Sequence, residues 1–206
     1  MEEKFFSIEE AETRLLSIIS GELDFQYLKS KRILKKVMKD LVFTIEFYMC
    51  KWNKAGERIE INAGFHIFYK KYGKLPAESV VVSKMYKPED KEWYDITSRE
   101  KLNDAIKALS KSFKDEVLEL YLRFEENYVG AIEYLLNEKF EEYNVYLDFI
   151  EETLGREAIL KKANQISSGF SDEIREQIAE YKKGIRNKKW MLNRSNIKYI
   201  IDNDFA

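Results

Sequence analysis

The chain lacks most of the residues that staple small folds or supply common catalytic sets. It has one cysteine, Cys50, one histidine, His66, and two prolines in 206 residues. A lone cysteine excludes an internal disulfide and any multi-cysteine zinc or iron–sulfur site. With one histidine in the chain, the usual nucleophilic and metal-binding sets cannot be assembled unless those two residues act together, which leaves only carboxylate metal sites open. No GxxxxGK[ST], GxGxxG, HExxH or GxSxG spacing occurs. No apolar run approaches the roughly 18 residues of a membrane span. The opening residues carry acids where a secretory signal carries bases. These absences lead us to expect a cytoplasmic, non-membrane chain with no cofactor, no metal site and no catalytic residue to assign.

What is present is globular. Hydrophobic residues make up 45% and charged residues 35% of the chain, values of a packed domain with a well-charged surface. A chain of this length buries about 70% of its unfolded surface without help from metal or disulfide. The net charge of −2 conceals segregation. From Asp115 to Glu152 there are twelve acids and two bases, whereas Lys29 to Lys39 has six bases and Lys182 to Lys198 has seven, both without acids. Local fields therefore decide which partner approaches which face.

Hydrophobic periodicity gives the elements. Ile8, Ala11, Leu15, Leu16 and Ile19 have helical spacing, with Ser7 as N-cap, Glu10 completing a capping box and Gly21 as the stop, so a helix is expected over about 8 to 20. The period then falls to two. Leu41, Phe43, Ile45, Phe47 and Met49, and then Ile59, Ile61, Ala63, Phe65 and Ile67, are two long strands sharing a core face. Asn53-Lys54-Ala55-Gly56 makes them a hairpin. Odd residues oppose odd residues only if the loop has three or five residues. Phe25 to Met38 supplies a shorter hairpin, and Val80 to Met85 and Trp93 to Ile96 complete an antiparallel sheet of about four to six strands. Thr97 and Glu100 stand in capping-box relation ahead of one long helix running past Phe124, and further helices are expected at about 128–138, 141–154, 156–167, 172–186 and 196–203. Strands followed by helices indicate an α+β fold, read as a sheet region with its long helix over 1–126 and a helical region over 127–206, packed as one unit.

Three surfaces offer chemistry. The even positions of the long hairpin gather Thr44, Glu46, Tyr48, Cys50, Arg58, Glu60, Asn62 and His66. If paired positions sum to 110, Tyr48 faces Asn62 and Thr44 faces His66. An acid, a phenol, an amide and an imidazole on one sheet face suit a ligand, so Glu46, Tyr48, Glu60, Asn62 and His66 are the binding candidates, against the plain reading of a polar solvent face. Cys50 and His66 lie too far apart along the strands for a dyad. The acidic helices offer Glu125, Glu126, Glu133, Glu138, Glu141 and Glu142 to a basic protein partner, although adjacent acids point apart on a helix and read as a solvated face. The basic stretch Lys29 to Lys36 follows Phe25 and Tyr27, which suits phosphates and bases, but the acidic half repels a polyanion. The C-terminal basic run, with Trp190 and Met191, is expected to pair with the acidic helices of the same chain.

The order of an N-terminal helix, an aromatic-x-aromatic-x-basic strand (Phe25-Gln26-Tyr27-Leu28-Lys29), a long strand and a strand reading Ile61-Asn62-Ala63-Gly64-Phe65 resembles a family described only as a domain of unknown function, the DUF4304 group. The resemblance covers about residues 8 to 125, with Asp24 where the family has glycine, and implies an α+β fold and no activity. The sequence thus favours a non-catalytic interaction protein, immunity- or regulator-like and of bacterial type, acting through its acidic helical face. A small-ligand module or an enzyme on the hairpin's polar face comes second, and a nucleic-acid binder last.

Overall fold

The computed structural model of the protein describes residues 7–73, 79–185 and 195–205. Helix α1 (Ile8–Leu23) starts as expected, with the Ser7 side chain accepting from Glu10 N. It runs past Gly21, because Asp24 supplies the left-handed stop at φ 54°.

Seven strands form one antiparallel sheet in the order β1 (Gln26–Leu28), β2 (Ile33–Met38), β3 (Leu41–Met49), β4 (Glu60–Tyr69), β5 (Val80–Tyr86), β7 (Asn144–Val145), with β6 (Tyr94–Asp95) beside the start of β4. The long hairpin has the register that its parity requires. Thr44 faces His66 and Tyr48 faces Asn62. Its tip closes on a Lys54–Arg58 bridge around a three-residue loop in which Gly56 takes φ 75°.

The helical half follows as α2 (Arg99–Ser112), α3 (Glu119–Glu126), α4 (Tyr128–Asn137), α5 (Leu147–Leu154), α6 (Arg156–Ser168), α7 (Asp172–Lys182) and α8 (Asn196–Asp202). Three expectations need correction. Ser98, not Thr97, caps α2 by accepting from Lys101 N; the Thr97 hydroxyl instead accepts from Ile59 N and donates to Asp95, which ties strand to helix. The one long helix stands, with α2 passing into α3 through a π-helical turn, Phe113–Leu118, whose joining residues keep α-helical geometry. The helix expected from 141 begins only at Leu147, because Asn144 and Val145 pair with Ser83 and Val82 as a strand that the second half lends to the sheet. Helix α7 stops at Lys182, and Gly184 turns the chain at φ 85°.

All the odd positions of the hairpin face the helices. Phe43 meets Tyr121 at 5.2 Å and Phe124 at 5.7 Å, Phe47 meets Phe113, Phe65 meets Tyr143, and Tyr69 meets Phe149, mostly edge to face, an arrangement favoured by the ring quadrupole. One apolar cluster runs from Ala11 on α1 to Phe205 past α8. The helices lie against that face, and the other face of the sheet is left open, with Val37, Tyr48 and Met85 among its exposed side chains.

Candidate functional site

On the open face the rows across the strands follow from pairing. Ile33, Glu46, Gly64 and Met85 form one row, and Lys35, Thr44, His66 and Ser83 the next. Glu46, Tyr48 and His66, spaced along two strands, converge over Gly64. The Tyr48 hydroxyl donates to Glu46 Oε2 at 3.0 Å, and its oxygen lies 3.1 Å from His66 Nε2. Gly64 makes this approach possible: a Cβ there would stand 3.0 Å from His66 Nε2, from Met85 Sδ and from a Tyr48 ring carbon alike. The glycine of Ile61-Asn62-Ala63-Gly64-Phe65 thus has a steric role.

Burial raises the Tyr48 pKa, and the adjacent Glu46 charge and hydrogen bond raise it further. Burial also lowers the His66 pKa, against the pull of Glu46. Both directions follow from the cost of charging a desolvated group. The remaining candidates sit at the margins of this cluster. Asn62, 5% exposed, opposes Tyr48 and donates through Nδ2 to the Glu92 carbonyl at 2.7 Å. Glu60 is held away at the end of the hairpin by Arg58 at 2.7 Å. Cys50 is buried, and its amide bonds the Glu60 carbonyl. That places it six residues along β4 from His66, about 20 Å at strand rise, so the two do not meet.

The acidic stretch is less bare than its sequence. Glu116, Glu119, Glu141, Glu142 and Glu152 are paired with Lys84, Arg123, Lys162, Lys84 and Lys139, and Lys71. Glu125, Glu126, Glu133 and Glu138 are exposed and form no ion pair among the described residues, with the exposed Leu122 and Val129 beside them in sequence. The basic stretch is also partly neutralised, with Arg32 on Glu12 at 2.6 Å and Lys36 on Asp24 at 3.1 Å. In the C-terminal run, Trp190 and Met191 lie outside the described residues, and Lys198 pairs with Asp202 inside α8 rather than with the acidic helices.

Sequence reasoning missed one cluster altogether. Lys84 extends from the helix-facing side of β5, where it pairs with Phe65. It reaches Glu116 of the π-helical turn at 2.5 Å and also Glu142. Tyr86 at 2.9 Å and Tyr143 at 3.2 Å donate to the same Glu116 oxygen. Burial raises the pKa of both phenols, with Glu116 adding to the shift. The one available signal was Lys84 itself, a charge at a position whose parity matches Val82 and Tyr86.

A surface concavity of about 370 Å³ lies apart from both clusters, lined by Trp93, Tyr94, Lys101, Asp104 and their neighbours. Among the described residues no group of three His, Cys, Asp or Glu side chains converges to hold a metal ion, and no helix is long and apolar enough to cross a membrane. Comparison with protein-family models, with curated proteins and with solved structures finds no match to this chain. The resemblance to the DUF4304 group accordingly rests on its quoted residues alone.

Proposed function

We propose that the chain is a non-catalytic binding protein whose ligand seat is the open face of the sheet, around Glu46, Tyr48 and His66. The observation that carries this reading is a set of buried polar atoms on that face that find no hydrogen-bond partner among the described residues: Thr44 Oγ1, Asn62 Oδ1 and His66 Nδ1. Buried polar groups find a hydrogen bond in about nine cases of ten, so three orphans on one sheet face call for a partner from outside. Binding is favoured over catalysis by Tyr48, whose proton is held more tightly than usual, the reverse of an activated nucleophile or base. A fragment screen read by amide and methyl NMR tests it. Shifts confined to Thr44, Tyr48, Asn62, His66 and Met85 are expected; shifts only at the Trp93 concavity would refute it.

A second reading has its own observation. Leu122 and Val129 are exposed on the helices that carry Glu125, Glu126 and Glu133, which form no ion pair among the described residues, and this suits a basic protein partner with some apolar surface and an immunity- or regulator-like role. Reversing Glu125, Glu126, Glu133 and Glu138 to Lys should abolish salt-sensitive capture of such a partner without loss of fold, and unchanged capture would dispose of this reading.

A further inference from the structure

The polar atoms waiting on the open face can be sorted by what they lack. Tyr48 has one hydroxyl proton, and its oxygen touches both Glu46 and His66. A carboxylate only accepts, so the proton goes to Glu46. The phenol oxygen then acts as an acceptor, and His66 Nε2 carries the hydrogen that reaches it. Burial disfavours the charged imidazole, so the ring has that one hydrogen and Nδ1 is a bare lone pair. The Asn62 amide is oriented by the same logic. Its Nδ2 donates to the Glu92 carbonyl, which leaves Oδ1, an acceptor, without a partner. The other Glu46 oxygen adds a third acceptor. Of the orphans, only the Thr44 hydroxyl has a hydrogen to offer.

On this inventory, and resting on the binding reading above, we infer that the ligand of the open face presents hydrogen-bond donors and positive charge, as an ammonium or guanidinium group does. An anion would meet the Glu46 carboxylate and two bare acceptors, with the Thr44 hydroxyl and Lys35 at one end in return. A cation pairs with Glu46 and donates to a neighbouring acceptor, and the exposed Tyr48 ring and Met85 thioether receive it and its carbon stem. Pairing sets the scale. Glu46 lies midway between the Thr44–His66 and Tyr48–Asn62 pairs, roughly 7 Å from each along the strand. Lys35, opposite Thr44 on β2, is the opposing charge at one end. It forms no ion pair with Glu46 among the described residues.

The test is NMR titration of the full chain with butylammonium and methylguanidinium, alongside butyrate and butyramide as anionic and neutral matches and a capped glycine-flanked arginine peptide. Imidazole nitrogen shifts should first report hydrogen at Nε2 and none at Nδ1; hydrogen at Nδ1 would overturn the inference. The cations should then bind with His66 Nδ1 shifting. Glu46→Gln should weaken them at least about tenfold, the usual worth of a charged hydrogen bond. Lys35→Met should tighten them about threefold by removing a like charge. Binding by the peptide alone also supports the inference and assigns the cation to a polypeptide side chain. Preferential binding of butyrate or butyramide at the same residues would overturn the cationic class while keeping the seat. If no probe moves Thr44, Tyr48 or His66, both the inference and the binding reading fail. Thermal unfolding of Glu46→Gln, expected near that of the parent chain, checks that its weaker binding is not a folding loss.

Discussion

Replacing Glu116 with Leu should strain the fold at the join between sheet and helices. The carboxylate receives Lys84, Tyr86 and Tyr143 on one oxygen. Tyr86 is 5% and Tyr143 3% exposed, so water cannot take over from the lost acceptor. A buried hydroxyl left unsatisfied costs about 1–3 kcal/mol. The two phenols can turn to each other, which spares roughly one of the two penalties, while Lys84 retains Glu142. Loss of one charge-assisted bond adds about 1–2 kcal/mol in this partly exposed position. The total is about 2–5 kcal/mol, or a Tm drop of roughly 4–20 °C for a chain of this size. Urea unfolding followed by circular dichroism measures it, with Glu116→Gln as the control that retains an acceptor and should lose less than half as much. A double-mutant cycle with Tyr86→Phe should then show coupling, since Phe has no hydroxyl to strand. If Glu116→Leu unfolds within about 0.5 kcal/mol of the parent chain, the network is peripheral and the reasoning fails.

Other perturbations have defined signs. The folded pKa of His66 is below its unfolded value of about 6.5, so the unfolded chain binds more protons and stability falls as pH drops below about 6.5; with Glu46, Tyr48 and Lys35 facing it, the effect is isolated by comparing urea midpoints with those of His66→Gln, whose slope between about pH 6.5 and 5 should be flatter. Gly64→Ala should cost about 1–2 kcal/mol by overpacking and should break the Tyr48–His66 contact, seen as a changed His66 nitrogen shift; an unchanged shift would show that the side chains have room. Thr44→Val should leave stability equal or raise it by about 0.5–2 kcal/mol, since an unbonded buried hydroxyl is replaced by a methyl, and a clear loss in thermal unfolding would mean that the hydroxyl has a partner.

The long hairpin was legible because strict alternation with a parity constraint leaves few registers, and Thr44 faces His66 in the one of them whose paired positions sum to 110. Ser7, Ser171 and Ser195 announced their helices because a cap is a local device, with each side chain accepting from an amide three residues on. What escaped was non-local. Asn144 and Val145 are a strand only because β5 has an edge to pair with, and a two-residue strand leaves no period to read. The π-helical turn adds a residue to one turn of a helix whose apolar spacing already alternated between three and four. Lys84 found its acids across 32 and 58 residues of sequence. The convergence of Glu46, Tyr48 and His66 was half legible: alternation put them on one face, but their contact depends on the missing side chain of Gly64.

The two polar clusters differ in a way that bears on function. Around Glu116 every donor has an acceptor, and the cluster joins β5, the π-helical turn and the segment before β7, so the fold itself accounts for it. Around Glu46 the tally stays open. A chain selected for stability alone would place Val at position 44, which has the same shape without a hydroxyl that finds no hydrogen bond among the described residues. Local rules broken without structural compensation mark the places where a sequence serves something other than its fold. Here the breaches fall on the one sheet face that the helices leave uncovered, beside an exposed phenol and thioether.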